Sequence, residues 1–580
     1  MISRNFFFWL IYILVSPSLF VCAHKPLSSN QLKIISKKLN ILKDSSLSYR
    51  NSDFNSSKIN GVSIGGWLVL EPYITPSLFK TAIAISGKNA STVHLNLNNT
   101  EVSLTIDDTH KNVSIVDEYT LCEKLGYENA KTILAPHYET WITKDDFKQI
   151  AESGFNLVRI PIGYWAWKLN NSLSTYPGNI TYKDPYVGEA LQLSYLEKAI
   201  DWATEYGLKV WVDLHGLPGS QNGFDNSGER ILFGELGWLA DTKSKALTIK
   251  IWNEMFKKYL NGSDTVVGIE IVNEPLAPKI NLWDITQSYY EAFDMFKGIQ
   301  PKDDNTTFVI HDAFQGVGHW NLELNPQYKN VSNQYYNLTG VSYSSQDVLV
   351  DHHHYEVFTD YQLLENQYER IMNIINYGQS INKELEYHPA VVGEWSGAIT
   401  DCAKWLNGLG IGARYDGSYY KNSLFTTTDD MHGVCQSQKE ISQWSKDYRI
   451  SVRQFIEAQL ATYESLTQGW IFWNWKTENA PEWDFLKLKE AGLFPSPFNN
   501  YTYFNSNGTI DQKFSSSLSK SAYQSSTSRS HSTTKAKNIG SSMKKNIFGN
   551  INTQPNNLHS GWKFGLATLL LIISTVLMLL

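Results

Sequence analysis

Eight short runs rich in Val, Ile and aromatic residues punctuate the chain, at 62–70, 155–162, 208–215, 266–275, 307–312, 348–355, 390–397 and 469–475. Near-continuous apolar runs of this length are what strands buried on both faces look like, and buried parallel strands need helical crossovers between them. The intervening segments carry helical spacing. Leu193, Leu196, Ile200 and Ala203 recur at steps of three and four and predict a helix over 191–206. Phe147, Ile150 and Ala151 repeat the pattern upstream of the second run, with Thr143 as candidate cap. Eight such units predict an α/β fold, a (β/α)8 TIM barrel in a single domain. A doubly wound open sheet is the alternative, but no Gly-x-Gly-x-x-Gly follows the first run.

The flanks differ from this body. Arg4 precedes an apolar run at 6–15, and Val21-Cys22-Ala23 offers small residues for cleavage, so 1–23 is expected to be a signal peptide. Residues 24–60 are polar and read as a flexible arm, with the barrel expected over 61–512. Residues 513–560, rich in Ser, Thr and Lys, cannot supply a packed core and read as a disordered stalk. Residues 561–580 close on an apolar tail, short for a membrane span but suited to a GPI-anchor signal after a polar spacer. Twelve Asn-x-Ser/Thr triplets, at Asn55, Asn89, Asn98, Asn112, Asn170, Asn179, Asn261, Asn305, Asn330, Asn337, Asn500 and Asn507, agree with a secreted glycoprotein. Cleavage after Ala23 would remove Cys22; of the remaining three cysteines, Cys402 and Cys435 could pair and leave Cys122 buried and free. All eight basic residues after Asp511 lie in the tail, so the body is more acidic than the net charge of −7. Nucleic acid is therefore not an expected partner, and a monomer is expected.

A barrel predicts where chemistry sits, because catalytic side chains of this architecture stand at the C-terminal ends of strands. Those ends carry Arg159, His215, Asn273 with Glu274, His353 with Tyr355, Glu394 and Trp473. Polar groups are costly to bury, and their coincidence on six strands is hard to explain as six separate structural roles. A closed barrel brings Glu274 and Glu394, on the fourth and seventh runs, to one mouth. Glycosidic cleavage needs two such carboxyls, one protonated for the leaving oxygen and one ionised; about 5–5.5 Å between them means retention and about 6.5–9.5 Å inversion. Arg159 or Tyr355 is expected to keep Glu394 charged, and repulsion from Glu394 to raise the pKa of Glu274. Asn273 offers an amide to a sugar hydroxyl. The run His352-His353-His354 invites a metal, but consecutive strand residues point to opposite faces and cannot converge on one ion; neither metal nor cofactor is expected. His353 and Tyr355 share the inward face. Asp213 and His215 share a face too, and sugar contact or a hydrogen bond to a catalytic Glu is expected of them.

With these residues named, the chain resembles glycoside hydrolase family 5, and within it the fungal exo-β-1,3-glucanases. The resemblance rests on Gly65-Gly66-Trp67-Leu68-Val69-Leu70-Glu71-Pro72-Tyr73, Asn156-Leu157-Val158-Arg159-Ile160-Pro161-Ile162-Gly163, Asp213-Leu214-His215-Gly216, Gly219-Ser220-Gln221-Asn222-Gly223-Phe224-Asp225-Asn226-Ser227-Gly228, Asn273-Glu274-Pro275, Asp351-His352-His353-His354-Tyr355, Gly393-Glu394 and Asp401-Cys402-Ala403-Lys404-Trp405-Leu406-Asn407-Gly408. It implies metal-free retaining hydrolysis of β-1,3-glucan from non-reducing ends, releasing glucose, with Glu274 as acid/base and Glu394 as nucleophile. It adds Glu71, Arg159, His215, Asn273, His353, Tyr355 and Trp473 as contacts to the sugar in the cleavage subsite. Phe224 and Phe358 become an aromatic clamp on the incoming side, with Asp225 beside it. Two departures stand out: residues 81–113 look like an insertion near the barrel mouth, and the stalk with its anchor signal implies attachment to cell membrane or wall. The alternatives keep the site but transfer the glycosyl group or use other β-glucosides, or make the barrel a non-catalytic wall-binding protein.

Overall fold

The computed structural model describes residues 58–520 apart from 88–91, 98–99, 106–111, 171–173, 263, 329–337, 339–341, 422–431, 436–438 and 519. The expected signal peptide, the arm as far as residue 57, the stalk beyond 520 and the anchor signal lie outside the described residues.

Eight parallel strands close a barrel in sequence order: β1 Ile59–Ser63, β2 Leu157–Gly163, β3 Lys209–Gly216, β4 Val266–Glu270, β5 Thr307–His311, β6 Val348–His353, β7 Ala390–Trp395 and β8 Gly469–Phe472. β8 closes on β1 from Ile59↔Gly469 to Val62↔Phe472. All eight expected runs thus contain or overlap a strand, but their bounds need correction. β1 begins at Ile59, ahead of the expected boundary at 61, and ends at Ser63 rather than 70. Gly65 and Gly66 follow, and Gly66 takes φ +68, which turns the chain out of the ladder. β4 ends at Glu270, so Glu274 stands on the turn beyond it.

Side-chain alternation builds the interior in layers. Ile59, Leu157, Trp211, Val267, Val309, Leu349, Val391 and Ile471, one from each strand, form a buried apolar cluster of their own. Two residues further along the same faces stand Arg159, Asp213, His311, Asp351, Gly393 and Trp473. An apolar plug therefore lies under a polar layer, and the chemistry is confined to one end.

The helix of Leu191–Tyr206 matches the expected span and stops at Gly207 in the left-handed conformation. Lys144–Glu152 starts on the Thr143 cap, with the Asp146 carboxylate accepting from the Thr143 amide at 2.8 Å. The far boundary shifts outward: Phe514 and Leu518, four apart on a helical turn, are buried in the main core, so the body runs past 512. Within 81–113 the chain completes a helix, Pro76–Ser86, and forms a hairpin, Thr92–Leu97 with Thr100–Thr105. Cys402 and Cys435 are disulfide-bonded, and Cys122 is free and buried.

Candidate active site

A cavity of about 610 Å³ opens among the loops that follow seven of the eight strands, all but β2. Of the expected site residues it is lined by Glu71, Phe224, Asp225, Glu274, His353, Tyr355, Phe358, Glu394 and Trp473. Arg159, His215 and Asn273 are not lining residues; they are fully buried and act on the lining groups from behind. No described residue of 81–113 lines the cavity.

Arg159 organises the polar layer. Its Nη1 donates to Glu394 Oε1 at 2.6 Å, its Nη2 to Asn273 Oδ1 at 2.8 Å, and its Nε to Glu270 Oε2 at 3.0 Å. Asp213 Oδ2 lies 3.1 Å from Nη2 and also 2.6 Å from His215 Nδ1. His215 in turn stacks at 8° on Trp473, whose Nε1 donates to Tyr73 at 2.5 Å. The wall around the two carboxylates is thus tied strand to strand, because a planar guanidinium offers several donors in a fixed fork. Gly393 is needed for this packing: a Cβ there would overlap the Asp351 carboxylate.

Glu394 holds two donors, Arg159 on Oε1 and the Tyr355 hydroxyl on Oε2 at 2.8 Å. Glu274 takes φ 50, a left-handed conformation costly for a residue with a Cβ, ahead of Pro275. Its Oε2 accepts from Asn226 Nδ2 at 2.9 Å, and its Oε1 lies 2.9 Å from His353 Nδ1. That same Nδ1 is 3.4 Å from Glu394 Oε2. The two facing oxygens are therefore no further apart than those two distances laid end to end, below the roughly 6.5 Å at which an inverting pair begins.

The charge balance differs from the sequence expectation. Burial raises the Glu394 carboxyl above its ordinary value, although His353 and Arg159 oppose this. Burial would raise Glu274 as well, but the hydrogen bond and charge of His353, with Asn226, hold it below. The expected rise of Glu274 through repulsion from Glu394 is reversed by His353, which burial pushes down but Glu394 and Asp351 hold well above its usual range. Deeper in the cavity Glu71 is only 5% exposed, and burial together with Asp225, Glu394 and Glu274 raises it well above an ordinary carboxyl. Burial lifts Asp225 to about 7.

Donor atoms of Glu274, His311 and His353 lie within 4.8 Å of one another, as do those of Glu270, Asp351 and His353. Glu274 accepts from Asn226 and faces His353, Glu270 Oε2 accepts from Arg159, and His311 Nδ1 accepts from the Ala313 amide at 3.0 Å, whereas Glu270 Oε1, Asp351 Oδ1 and His311 Nε2 have no hydrogen-bond partner among the described residues. Glu270, His311, Asn226, Phe314 and Trp483 belong to the site or its walls without having been singled out. Only period-two alternation from Val309 pointed to His311; Trp483, from beyond the last strand, gave no signal.

The chain matches the cellulase (glycosyl hydrolase family 5) model over residues 122–409. It is 58% identical over 542 residues to glucan 1,3-beta-glucosidase 2 of Saccharomyces cerevisiae, covering 93% of each chain. It is 41% identical over 478 residues to glucan 1,3-beta-glucosidase 2 of Candida albicans, covering 79% of this chain and 90% of that one. Among solved structures, the rutinosidase of Aspergillus niger superposes with a TM-score of 0.50 at 19% identity, over 77% of this chain and 100% of that one, a likeness of fold.

Proposed function

The chain belongs to glycosyl hydrolase family 5, among the fungal glucan 1,3-β-glucosidases, and on that premise we propose that it removes glucose from non-reducing ends of β-1,3-glucan with retention of configuration. The observation that carries the reading is one His353 nitrogen within 2.9 Å of Glu274 and 3.4 Å of Glu394, a span suited to direct attack by one carboxylate.

The partners divide the roles. Both donors on Glu394, Arg159 and Tyr355, keep their protons near neutrality, so Glu394 is held as an oriented anion, the nucleophile. Glu274 instead faces a group that can give and take a proton. With the proton on His353 Nδ1 the pair is ionic; transfer to Glu274 Oε1 makes a carboxylic acid, and His353 keeps its other N–H toward Asp351, 3.4 Å away. Sugar filling the cavity removes water, which disfavours the ionic form. Glu274 then protonates the leaving oxygen while Glu394 attacks the anomeric carbon, and afterwards Glu274 takes a proton from water as it displaces Glu394.

Walls supplied by seven loops, with buried Glu71 in the interior, support an end-on pocket for a terminal sugar. The leader, the sequons and the tail support a secreted, GPI-anchored enzyme of the cell surface or wall. Reaction of laminaritriose followed by NMR tests the reading: β-glucose should appear first. Initial α-glucose would overturn retention, and release of laminaribiose with laminaritriose from laminaripentaose, in place of glucose with laminaritetraose, would overturn exo action.

A further inference from the structure

Of the three consecutive histidines only His353 lines the cavity. His352, on the other face of β6, is fully buried between two carboxylates: Nδ1 lies 2.8 Å from Asp312 Oδ2 and Nε2 lies 2.6 Å from Glu384 Oε2. Both ring nitrogens face acceptors, the arrangement of an imidazolium donating two N–H bonds. The remaining carboxylate oxygens reach the loop after β5. Phe314 donates its amide to Asp312 Oδ1 at 2.8 Å, and Gly318 donates its amide to Glu384 Oε1 at 3.2 Å. Trp320 Nε1 donates to the Asp312 carbonyl at 2.9 Å.

This loop needs holding. Ala313 and Phe314 take φ 55 and 57, both left-handed, a strained conformation for residues with a Cβ. The strained turn presents Phe314, 43% exposed, at the cavity wall, edge-on to Phe224 with ring centroids 6.4 Å apart. The chemistry of Glu274 and Glu394 makes no use of His352, Glu384 or the turn.

We propose that His352 is a positioning residue: bridging Asp312 and Glu384, it holds the 312–318 turn that sets Phe314 opposite Phe224, and thereby sets the grip on the leaving-group side of longer substrates. The proposal rests on the glucan reading above, since it takes a sugar chain to lie against these rings. Asp312 and Glu384 raise His352 to about 10 against the effect of burial. The other groups facing it are His311 on β5 and Tyr377, whose ring meets it edge-on at 6.1 Å. The bridge is therefore complete through the neutral range and is lost as pH rises through about 10.

The test is the ratio of kcat/KM for laminaritriose to that for 4-nitrophenyl β-glucoside, whose leaving group is too short to span the rim. Phe314→Ala should lower the ratio about tenfold, the scale of one aromatic contact. His352→Gln should lower it comparably and through KM, and the double variant should fall no further than Phe314→Ala alone. Should His352→Gln fail to fold, Glu384→Gln, which retains shape but not charge, carries the same expectation. A ratio unmoved by the His352 or Glu384 change, or losses that multiply in the double variant, would overturn the proposal while the glucan reading stood. A wild-type protein active on the aryl glucoside but not on laminaritriose would overturn both.

Discussion

Arg159 Nη1 meets Glu394 Oε1 at 2.6 Å, joining β2 to β7, strands that are not neighbours in the ring. The same guanidinium faces Glu270, Asp213 and Asn273. Replacing it by Met leaves carboxylates buried without their counter-charge. We expect Arg159→Met to lose about 3–5 kcal/mol of stability by denaturant unfolding. Arg159→Lys should fold better but lose about 100-fold in kcat, because an ammonium cannot reproduce the fork.

Glu394→Ala removes the nucleophile and should abolish turnover of every β-glucoside. Glu274→Gln should be selective. Laminaritriose, whose leaving alkoxide needs the proton, should lose at least about 1000-fold, while formation of the glycosyl-enzyme from an aryl glucoside with an acidic leaving group should lose far less. Pre-steady-state release of nitrophenol reads that step; equal losses on both substrates would exclude Glu274 as acid.

The proton shared by Glu274 and His353 should set the basic limb of the pH profile. Glu394 and Asp351 keep it on the wild-type pair to high pH by raising His353. Without His353 only the Glu274 carboxyl can hold it. His353→Gln is therefore expected to move the basic limb of kcat/KM to lower pH, and an unmoved limb would remove His353 from the proton path.

Glu118 offers a stability test away from the chemistry. Its Oε2 accepts from the Leu70 amide at 3.0 Å, and burial raises its carboxyl to about 8. The folded state thus binds a proton that the unfolded chain releases near 4.5. The stabilising contribution is complete below 4.5 and declines as pH rises toward 8. Thermal unfolding of Glu118→Gln, compared with wild type, should show a shallower loss between pH 5 and 8.

The disulfide closes the segment carrying Leu406, Asn407, Ile411, Arg414 and Tyr419, which line one cavity wall. Cys402→Ser with Cys435→Ser should cost roughly 3–4 kcal/mol from the enlarged unfolded ensemble. Its KM for laminaritriose should rise more than its KM for an aryl glucoside.

Much of this was readable from one strand at a time. Apolar runs and the helical spacing of Leu193, Leu196, Ile200 and Ala203 announced the barrel, because burial imposes a period on each element separately. Strand-end logic found Glu274, Glu394, Arg159, His215, His353 and Tyr355. The tail boundary was missed because Phe514 and Leu518 are two apolar residues in a Ser-rich stretch, and only their packing against the core reveals them.

In the sequence by itself, strand alternation already places most of the polar layer, Arg159, Asp213, His311, Asp351 and Trp473 each two residues beyond an apolar layer residue, but not Glu270, which lies three beyond Val267 where the register of β3 and β4 shifts. The sequence did not determine who holds the proton. That depended on His353 lying within reach of both carboxylates, on Arg159 spanning non-adjacent strands, and on His352 finding a carboxylate on each side. Those are distances between elements far apart in the chain, and electrostatic coupling depends on distance and burial, not on order along the sequence. Arg159 and Glu394 were legible as two candidates; their 2.6 Å contact existed only once the barrel had closed.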